Sequence, residues 1–149
     1  VKNAAKKYKD NFYFVSSVFN LPVATEGIDL ILSIFSPLQP EEFKRILTKD
    51  GYVIVVSPGE NHLKELAELI YDNFREHKNN VIEKMTPSLE YQTTKKATFN
   101  IHITDVESLL ILLKMTPYYW STSKENLTKI ESCNDINITC DFNISIFKR

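Results

Sequence analysis

The chain has 149 residues, a length that suits one domain with a buried core. Its hydrophobic fraction of 43% and charged fraction of 25% are typical of a soluble globular protein, and a net charge of -1 excludes nucleic-acid binding driven by overall positive charge. No apolar run in the sequence approaches the roughly 20 residues that a membrane-spanning helix requires.

The first part of the chain carries the pattern of a parallel α/β sheet. It begins inside a helix, with no capping residue and no initiator methionine, and helical spacing runs to about residue 9. Residues 12–15 form a short apolar run that predicts a strand. Residues 28–35 and 52–56 are continuously apolar and rich in β-branched side chains, which is typical of parallel strands covered on both faces.

Helices are predicted between and after these strands. The first begins at Pro40, a residue suited to the first helical position, and Asp50-Gly51 is predicted to turn the chain into the strand at 52–56. Residues 78–93 have little periodicity and are predicted to form a mobile polar connection. Before that connection, a second helix is predicted from after Gly59 to about residue 77, with an apolar stripe formed by Leu63, Leu66, Ile70 and Phe74.

The last part of the chain alternates between apolar and polar residues. Alternation at 99–103 and over 136–146 predicts two strands, the second of them long and with one wetter face. Between them, capping boxes at 104–107 and 122–125 are predicted to open two helices, the first ending near Met115. Buried parallel strands followed by alternating strands predict a mixed sheet with an antiparallel end.

The sequence contains no complete catalytic constellation. None of its three glycines belongs to a G-x-G-x-x-G or phosphate-binding loop, and no nucleophile elbow is present. Cys133 and Cys140 are the only cysteines, and without a nearby histidine they lack the spacing of a metal site. They are interpreted as two buried cytosolic thiols, and no metal site is predicted in this chain.

Two segments that follow predicted strands are candidate binding sites, because ligands of open α/β sheets bind beyond the carboxyl ends of strands. The segment V-S-S-V-F-N-L-P at 15–22 offers the hydroxyls of Ser16 and Ser17 to the adenine edge of a cofactor; the alternative is a simple polar turn. The segment S-I-F-S-P at 33–37 is stiffened by Pro37, and a rigid loop there could shape a face for a substrate. Its alternative is a tight exit into the next helix.

Two further segments combine a proline with groups that bind ligands. In S-P-G-E-N-H at 57–62, Gly59 and the amides of the helix start suit an anion, and His62 could bind a ligand or move a proton near neutral pH. In M-T-P-Y-Y-W at 115–120, the aromatic rings could stack on an unpaired or flipped base. The alternatives are an exposed, capped helix start with an incidental histidine, and an aromatic plug that packs a helix end.

In this order the four segments resemble the bacterial 23S rRNA (guanine-N1)-methyltransferases, a branch of the S-adenosylmethionine-dependent methyltransferases. The shared features are S-S-x-x-x-L-P, a strand ending in aromatic-x-P, P-G-x-x-H-L after a D-G-strand run, M-T-P-aromatic-x-W, and a terminal D-F-N-I strand at 141–144. The family's cysteine lies slightly further upstream than Cys140. The resemblance covers essentially the whole chain.

The resemblance implies an α/β fold with a Rossmann-like mixed sheet whose last strand is antiparallel. The family's first strands, its cofactor-binding glycine loop and its N-terminal zinc module have no counterpart in residues 1–149. The resemblance therefore implies that the chain is the C-terminal part of a methyltransferase domain, truncated at its N-terminus, and that the main cofactor loop and the zinc site precede Val1. Without that loop the fragment alone is expected to bind the cofactor weakly or not at all and to be inactive.

The resemblance also implies roles for residues of this chain. His62 is the catalytic candidate for the proton of guanine N1. The guanine would contact Pro37, His62, Tyr118 and Trp120. S-adenosylmethionine would contact Ser16, Ser17, Val18, Leu21, Ser33 and Phe35. In many related methyltransferases an acidic residue occupies the position of Ser17, so the proposed adenine contact of this chain would be made by a hydroxyl instead of a carboxylate.

The implied partner is ribosomal RNA, in the cytoplasm and without a membrane. Two other interpretations stay open, a small-molecule methyltransferase of the same fold and a non-catalytic fragment or binding module. In the family's strand order two missing strands separate 12–15 from 28–35, so the strand at 28–35 would keep an unpaired apolar edge. Such an edge predicts pairing between copies, as a homodimer, or a first segment rearranged to cover it.

Overall fold

The computed structural model describes residues 2–71 and 80–149. In chain order its elements are α1 (Lys2–Lys7), β1 (Ile28–Ile34), α2 (Pro40–Ile46), β2 (Leu47–Pro58), α3 (Lys64–Ile70), α4 (Val81–Met85), β3 (Glu90–Ile103), α5 (Val106–Lys114), a 3₁₀ turn (Pro117–Ser121), α6 (Lys124–Glu131) and β4 (Ile136–Lys148). In the described ranges, no helix is both long and apolar enough to cross a membrane.

The four strands form one mixed sheet in the order β1-β2-β4-β3. β1 runs parallel to β2, and β4 runs antiparallel to both of its neighbours. The long ladder between β3 and β4 spans both alternating segments of the sequence. The predicted α/β mixed sheet with an antiparallel last strand is therefore confirmed.

Helices pack on both faces of the sheet and form two cores. α2 and α4 cover one face near β2 and the end of β4, with a core of Phe43, Leu47, Val53, Val55, Val81, Met85, Leu89 and Phe147. α3, α5 and α6 cover the start of β4 on the other face, with a core of Leu63, Leu66, Ile70, Leu109, Leu113, Ile130 and Ile138. The described members of the predicted stripe after Gly59 are buried in this second core, and Phe74 lies outside the described residues.

Part of the second face carries apolar side chains that stay in contact with solvent. Leu30, Leu32 and Ile34 of β1 are 54%, 58% and 54% exposed, and their partners across the ladder continue the apolar surface into β2 and β4. We call this surface the open sheet face; its residues are Leu30, Leu32, Ile34, Tyr52, Ile54, Val56, Ile144 and Ile146. The prediction that both faces of β1 are covered is therefore wrong.

From Asp141 onward the polar face of β4 is buried, which reverses the prediction of a wetter face for this part of the strand. Asp141, Asn143 and Ser145 are 4%, 6% and 0% exposed, because they point towards the face that α2 and α4 cover. β3 supplies hydroxyl partners: Thr98 Oγ1 donates to Asp141 Oδ1 at 2.9 Å, and the Thr94 and Ser145 hydroxyls lie 2.9 Å apart. These hydrogen bonds make burial of the polar row tolerable.

The predicted strand at 12–15 does not form. Phe12 is 99% and Val15 85% exposed, and neither joins a ladder. A strand persists only where a neighbour satisfies its backbone groups, and β1 pairs only with β2 among the described strands. The first segment therefore does not cover the outer edge of β1, and pairing between copies stays a prediction.

Two predicted turns and connections also need correction. β2 begins at Leu47 directly after α2, and Gly51 lies inside it at a bulge between the pairs Ile28–Leu47 and Leu30–Tyr52. The predicted connection after residue 78 contains α4 and the start of β3, because Val81 and Met85, one helical turn apart, are both buried.

Both capping boxes are shifted by one residue. The caps are Asp105, whose side chain accepts from the Ser108 amide, and Ser123, whose side chain accepts from the Asn126 amide. The two helices form where they were predicted, and the first of them ends at Lys114, with Met115 as its C-cap. The predicted helix after Gly59 begins at Lys64 and ends at Ile70, because the backbone of Tyr71 is extended, so the prediction of one continuous helix to about residue 77 is wrong.

Candidate active site

A cavity of about 620 Å³ lies beyond the carboxyl ends of β1 and β2. Its volume is within the range of ligand-binding pockets, and its wall is mostly aliphatic and aromatic. The wall is formed by Phe35, Pro58, His62, Leu63, Leu112, Met115, Thr116, Pro117, Tyr118, Cys140 and Phe142. Such a wall suits a largely apolar or aromatic group.

Three rings from three elements meet on one side of this cavity. Phe35 follows β1, His62 follows β2, and Phe142 lies on β4. The ring centroids of His62 lie 4.8 Å from Phe142 and 5.4 Å from Phe35, and those of Phe35 and Phe142 lie 5.9 Å apart. These separations are typical of packed aromatic pairs, so the three rings form a continuous aromatic wall.

The loop that carries His62 is fastened to β4 by its backbone. The Gly59 amide donates to the Asp141 carbonyl at 2.8 Å, and the Leu63 amide donates to the Thr139 carbonyl at 2.8 Å. Between them the Asn61 amide donates to Asp141 Oδ2 at 3.2 Å. The protein's own carboxylate therefore occupies the position where the sequence predicted an external anion, and that prediction is wrong.

The imidazole of His62 continues the hydrogen-bond ladder where β2 ends. The last paired residues of β2 and β4 are Pro58 and Phe142. One residue along β4, the Asp141 amide donates to His62 Nδ1 at 3.3 Å. His62 Nδ1 thus accepts the hydrogen bond that a strand carbonyl opposite Asp141 would accept, and the orientation of the ring is set by the backbone of β4.

Two residues of the cavity wall hold a left-handed backbone conformation. Phe35 has φ 49° and Leu63 has φ 55°, values that are uncommon for residues other than glycine. A backbone hydrogen bond holds each residue in place. The Phe35 amide donates to the Val56 carbonyl at 3.1 Å, and the Leu63 amide donates to the Thr139 carbonyl. Such conformations cost about 1–3 kcal/mol each and cluster at functional sites.

Cys140 is part of the same wall, and Glu65 lies close to it. Burial acts to raise the pKa of Glu65, but hydrogen bonds from the hydroxyl and amide of Thr139 outweigh it and leave the pKa lowered. Burial, assisted by the charge of Glu65, raises the pKa of the Cys140 thiol. Cys140 is therefore a protonated wall residue and not a nucleophile at neutral pH. Cys140 is buried as predicted, whereas Cys133 is only half-buried.

The aromatic segment at 115–120 divides between the cavity and the surface. Tyr118 is half-buried in the cavity wall, and its ring meets Tyr71 edge-on at 5.8 Å. Burial and the nearby Tyr71 raise the pKa of the Tyr118 hydroxyl, which keeps it protonated at neutral pH. Trp120 is 87% exposed, so it does not plug the helix end.

Of the predicted site residues, the structure brings Phe35, His62 and Tyr118 together at the cavity. The other seven lie outside its wall, and one of them is the exposed Trp120. Val18 and Leu21 pack against the first core, and the Ser33 hydroxyl lies 2.8 Å from that of Ser36. The remaining three, all exposed, are Ser16, Ser17 and Pro37.

The segment at 16–25 is held to α2 by one buried carboxylate. Glu42 accepts from Arg45, with Oε1 2.7 Å from Nη2, and from the Leu21 amide at 2.6 Å. The hydrogen bond from Arg45, followed by that from Leu21, lowers the pKa of Glu42 to about 2. Arg45 also donates to the carbonyls of Leu21 and Val23. This pair fixes the path of the loop that carries the predicted cofactor contacts.

Sequence reasoning missed Phe142 and Asp141 as parts of the site. Both belong to the alternating strand and to the family-like D-F-N-I run at 141–144, neither of which predicted a role in the site, and the alternation correctly placed them on opposite faces. Their contacts with His62 join residues about 80 positions apart, so no local pattern contains them.

Known proteins with similar sequences share one activity in their names. The chain is 32% identical over 149 residues to YxjB of Bacillus subtilis, whose name places it among the 23S rRNA (guanine-N1)-methyltransferases. That match covers 98% of this chain and 52% of YxjB. The 23S rRNA (guanine(748)-N(1))-methyltransferase of Streptomyces fradiae is 26% identical over 132 residues, which cover 87% of this chain and 47% of that protein. No profile of a protein family matches the chain.

Similar solved structures agree on the fold. The YcgJ protein of Bacillus subtilis superposes with a TM-score of 0.61 at 16% identity, covering 99% of this chain and 76% of that one. A SAM-dependent methyltransferase of Thermotoga maritima superposes with a TM-score of 0.50 at 17% identity, covering 98% and 67%. The chain spans about half the length of the curated relatives it matches. It has the Rossmann-like fold of SAM-dependent methyltransferases, and over nearly its whole length its sequence is similar to about half the length of the 23S rRNA (guanine-N1)-methyltransferases named above.

Proposed function

We propose that the chain is the C-terminal part of a catalytic domain that transfers a methyl group from S-adenosylmethionine to N1 of a guanine in 23S rRNA. The observation that carries the proposal is the aromatic cavity beyond β1 and β2, in a chain whose relatives are named for this activity. A cytoplasmic location and ribosomal RNA as partner belong to the same proposal. So does a zinc module in the part of the relatives that this chain does not match.

The target guanine is proposed to enter the cavity between the aromatic wall and Tyr118. Phe35 and Phe142 offer aromatic surface to a flat base, with the His62 ring packed against both. Trp120, exposed beside the cavity wall, would stack on a neighbouring unpaired base, and Pro37 would border the RNA. His62 is the polar ring of the wall. It is proposed to contact the guanine next to N1, the atom that loses its proton during methylation.

The residues of this chain are proposed to supply only some of the contacts that S-adenosylmethionine requires. Ser16 and Ser17 expose hydroxyls, and Phe35 reaches the cavity, whereas the side chains of Val18 and Leu21 are used in packing. The bound cofactor would supply a reactive methyl group, so the protein's main task is to align the guanine with it. Binding of the cofactor by this chain alone is expected to be weak, because no glycine-rich loop is present in its sequence.

The test is methylation of RNA by the protein expressed with whatever its reading frame encodes before Val1. Unmodified 23S rRNA and S-adenosylmethionine are incubated with it, and the nucleosides are analysed by mass spectrometry. We expect 1-methylguanosine at a single position. Methylation of a small molecule in a cell extract, without any methylated nucleoside, would favour the small-molecule alternative. If neither product forms, the interpretation as a non-catalytic fragment is favoured.

A further inference from the structure

The hydrogen bond between Asp141 and His62 fixes where the imidazole carries its proton. The Asp141 amide lies 3.3 Å from His62 Nδ1, and a backbone N–H can only donate. Nδ1 therefore accepts and has no proton while this bond exists. The ring is then neutral, and its one N–H is on Nε2.

The surroundings of the ring hold it in this orientation. Asp141 is itself fixed, because its carbonyl accepts from Gly59 and its carboxylate accepts from Asn61 and Thr98. The ring packs against Phe35 and Phe142. A half-turn of the imidazole would place a C–H group against the Asp141 amide and leave that amide without its partner, which is unfavourable at a half-buried site.

We propose that His62 serves as a hydrogen-bond donor, through Nε2–H, to the carbonyl oxygen of a purine base in the cavity, and that it does not accept the proton of that base. The identity of the base rests on the proposed function. The position of the proton on His62 does not depend on it. For guanine the oxygen is O6. Adenine carries an amino group at that position, so two donors would face each other and adenine would be excluded.

This role is compatible with methylation at N1. As guanine loses its N1 proton, negative charge develops on N1 and O6, and a donor fixed at O6 stabilises that form. The N1 proton passes to water. N1 forms a bond to the methyl carbon as the bond between that carbon and sulfur breaks, and the positive sulfonium becomes a neutral thioether. His62 keeps its proton throughout and positions the base.

The position of the proton can be measured without any activity. The full chain, labelled with ¹⁵N-histidine, contains three histidines, and long-range ¹H–¹⁵N correlation spectra distinguish the two neutral tautomers. The His62 signals are assigned by their loss in His62→Gln. We expect the neutral Nε2–H pattern at neutral pH. An Nδ1–H pattern, or an average of both tautomers, would overturn the inference.

Recognition of the oxygen is tested by titrating the same sample with two nucleotides. Guanosine 5′-monophosphate is compared with the 5′-monophosphate of 2-aminopurine riboside, which lacks O6. We expect guanosine monophosphate to shift the His62 Nε2 signal and to bind about tenfold or more tightly than the analogue. Equal binding would overturn recognition of O6. If neither binds while the Nε2–H pattern is present, the proposed base site fails, and recognition of O6 fails with it, but the tautomer stands.

A pair of variants separates a donor from a proton acceptor in the methylation assay. His62→Gln keeps an N–H donor near the position of Nε2, whereas His62→Ala removes it. We expect His62→Gln to retain at least about tenfold more activity than His62→Ala, with equal Tm values for the two variants. Equal loss in both variants would mean that His62 acts by taking the proton, and would overturn the donor role.

Discussion

The carboxylate of Asp141 occupies the space that a side chain at position 59 would need. A Cβ atom built on Gly59 would overlap both carboxylate oxygens of Asp141. The glycine is therefore required by a close approach between a loop and a strand, and this approach brings the loop's amides to β4 and His62 to the cavity.

We expect Gly59→Ala to destabilise the protein by about 1–3 kcal/mol, because the methyl group must displace a buried, hydrogen-bonded carboxylate. Urea denaturation monitored by circular dichroism measures the change. The matched control is the double variant Gly59→Ala with Asp141→Ala, in which the overlap is removed. The two substitutions should be less than additive. Strict additivity would show that residues 59 and 141 are not in contact.

The salt bridge between Glu42 and Arg45 should make stability depend on pH in the acid range. The pKa of Glu42 is lowered from 4.5 to about 2, so the folded state favours the charged form. The stabilisation is complete above about pH 4.5 and is lost as the pH falls through about 2. In Glu42→Gln this part of the pH dependence should disappear, as measured by urea midpoints between pH 2 and pH 6. Glu83 is exposed, so Glu83→Gln is the control and should keep the pH dependence of the wild type. A Glu42→Gln variant with the wild-type pH profile would contradict the assignment.

Trp120 is expected to matter for RNA and not for folding. With 87% of its side chain exposed, Trp120→Ala should change stability by less than about 0.5 kcal/mol. Methylation of rRNA by the complete protein should fall, since stacking contributes about 1–3 kcal/mol per base, while affinity for S-adenosylmethionine stays unchanged. Tyr118→Ala is the comparison, because that ring is part of the cavity wall and its loss should lower both stability and activity. Unfolding of Trp120→Ala would mean that the ring packs the helix end after all.

Isothermal titration calorimetry of residues 1–149 with S-adenosylmethionine should show weak binding or none. The reason is the missing glycine-rich loop, which normally lets the backbone approach the cofactor closely. S-adenosylhomocysteine serves as a second ligand, since it lacks the methyl group but shares the adenosine. A saturable isotherm in the low micromolar range for either ligand would contradict this prediction.

Local patterns in the sequence predicted most elements but not which surfaces they bury. Alternation over 136–146 gave a strand and its two faces, yet the polar face is the buried one, because Thr94 and Thr98 of β3 provide partners that no pattern within β4 contains. The run at 12–15 has strand-like residues but no neighbour to pair with. A strand depends on its partner, whereas α5 and α6 depend mainly on local residues and formed where they were predicted.

The same distinction applies to the site. Phe35, His62 and Tyr118 follow elements whose ends could be predicted, so their approach to one cavity followed from the topology. The partner of His62 could not be predicted in this way. Asp141 meets it across the sheet, and the amide that sets the ring's orientation belongs to the backbone, which sequence patterns do not describe.

The open sheet face has a consequence for every measurement of stability on this chain. Anything that covers Leu30, Leu32 and Ile34 only in the folded state raises the free energy of unfolding by an amount that grows with its concentration. If copies pair, that substance is the protein itself, and the melting temperature rises with protein concentration. If a different polypeptide or a detergent covers the face, the melting temperature follows that component instead. A melting temperature for this chain is therefore defined only together with the composition of the solution in which it was measured.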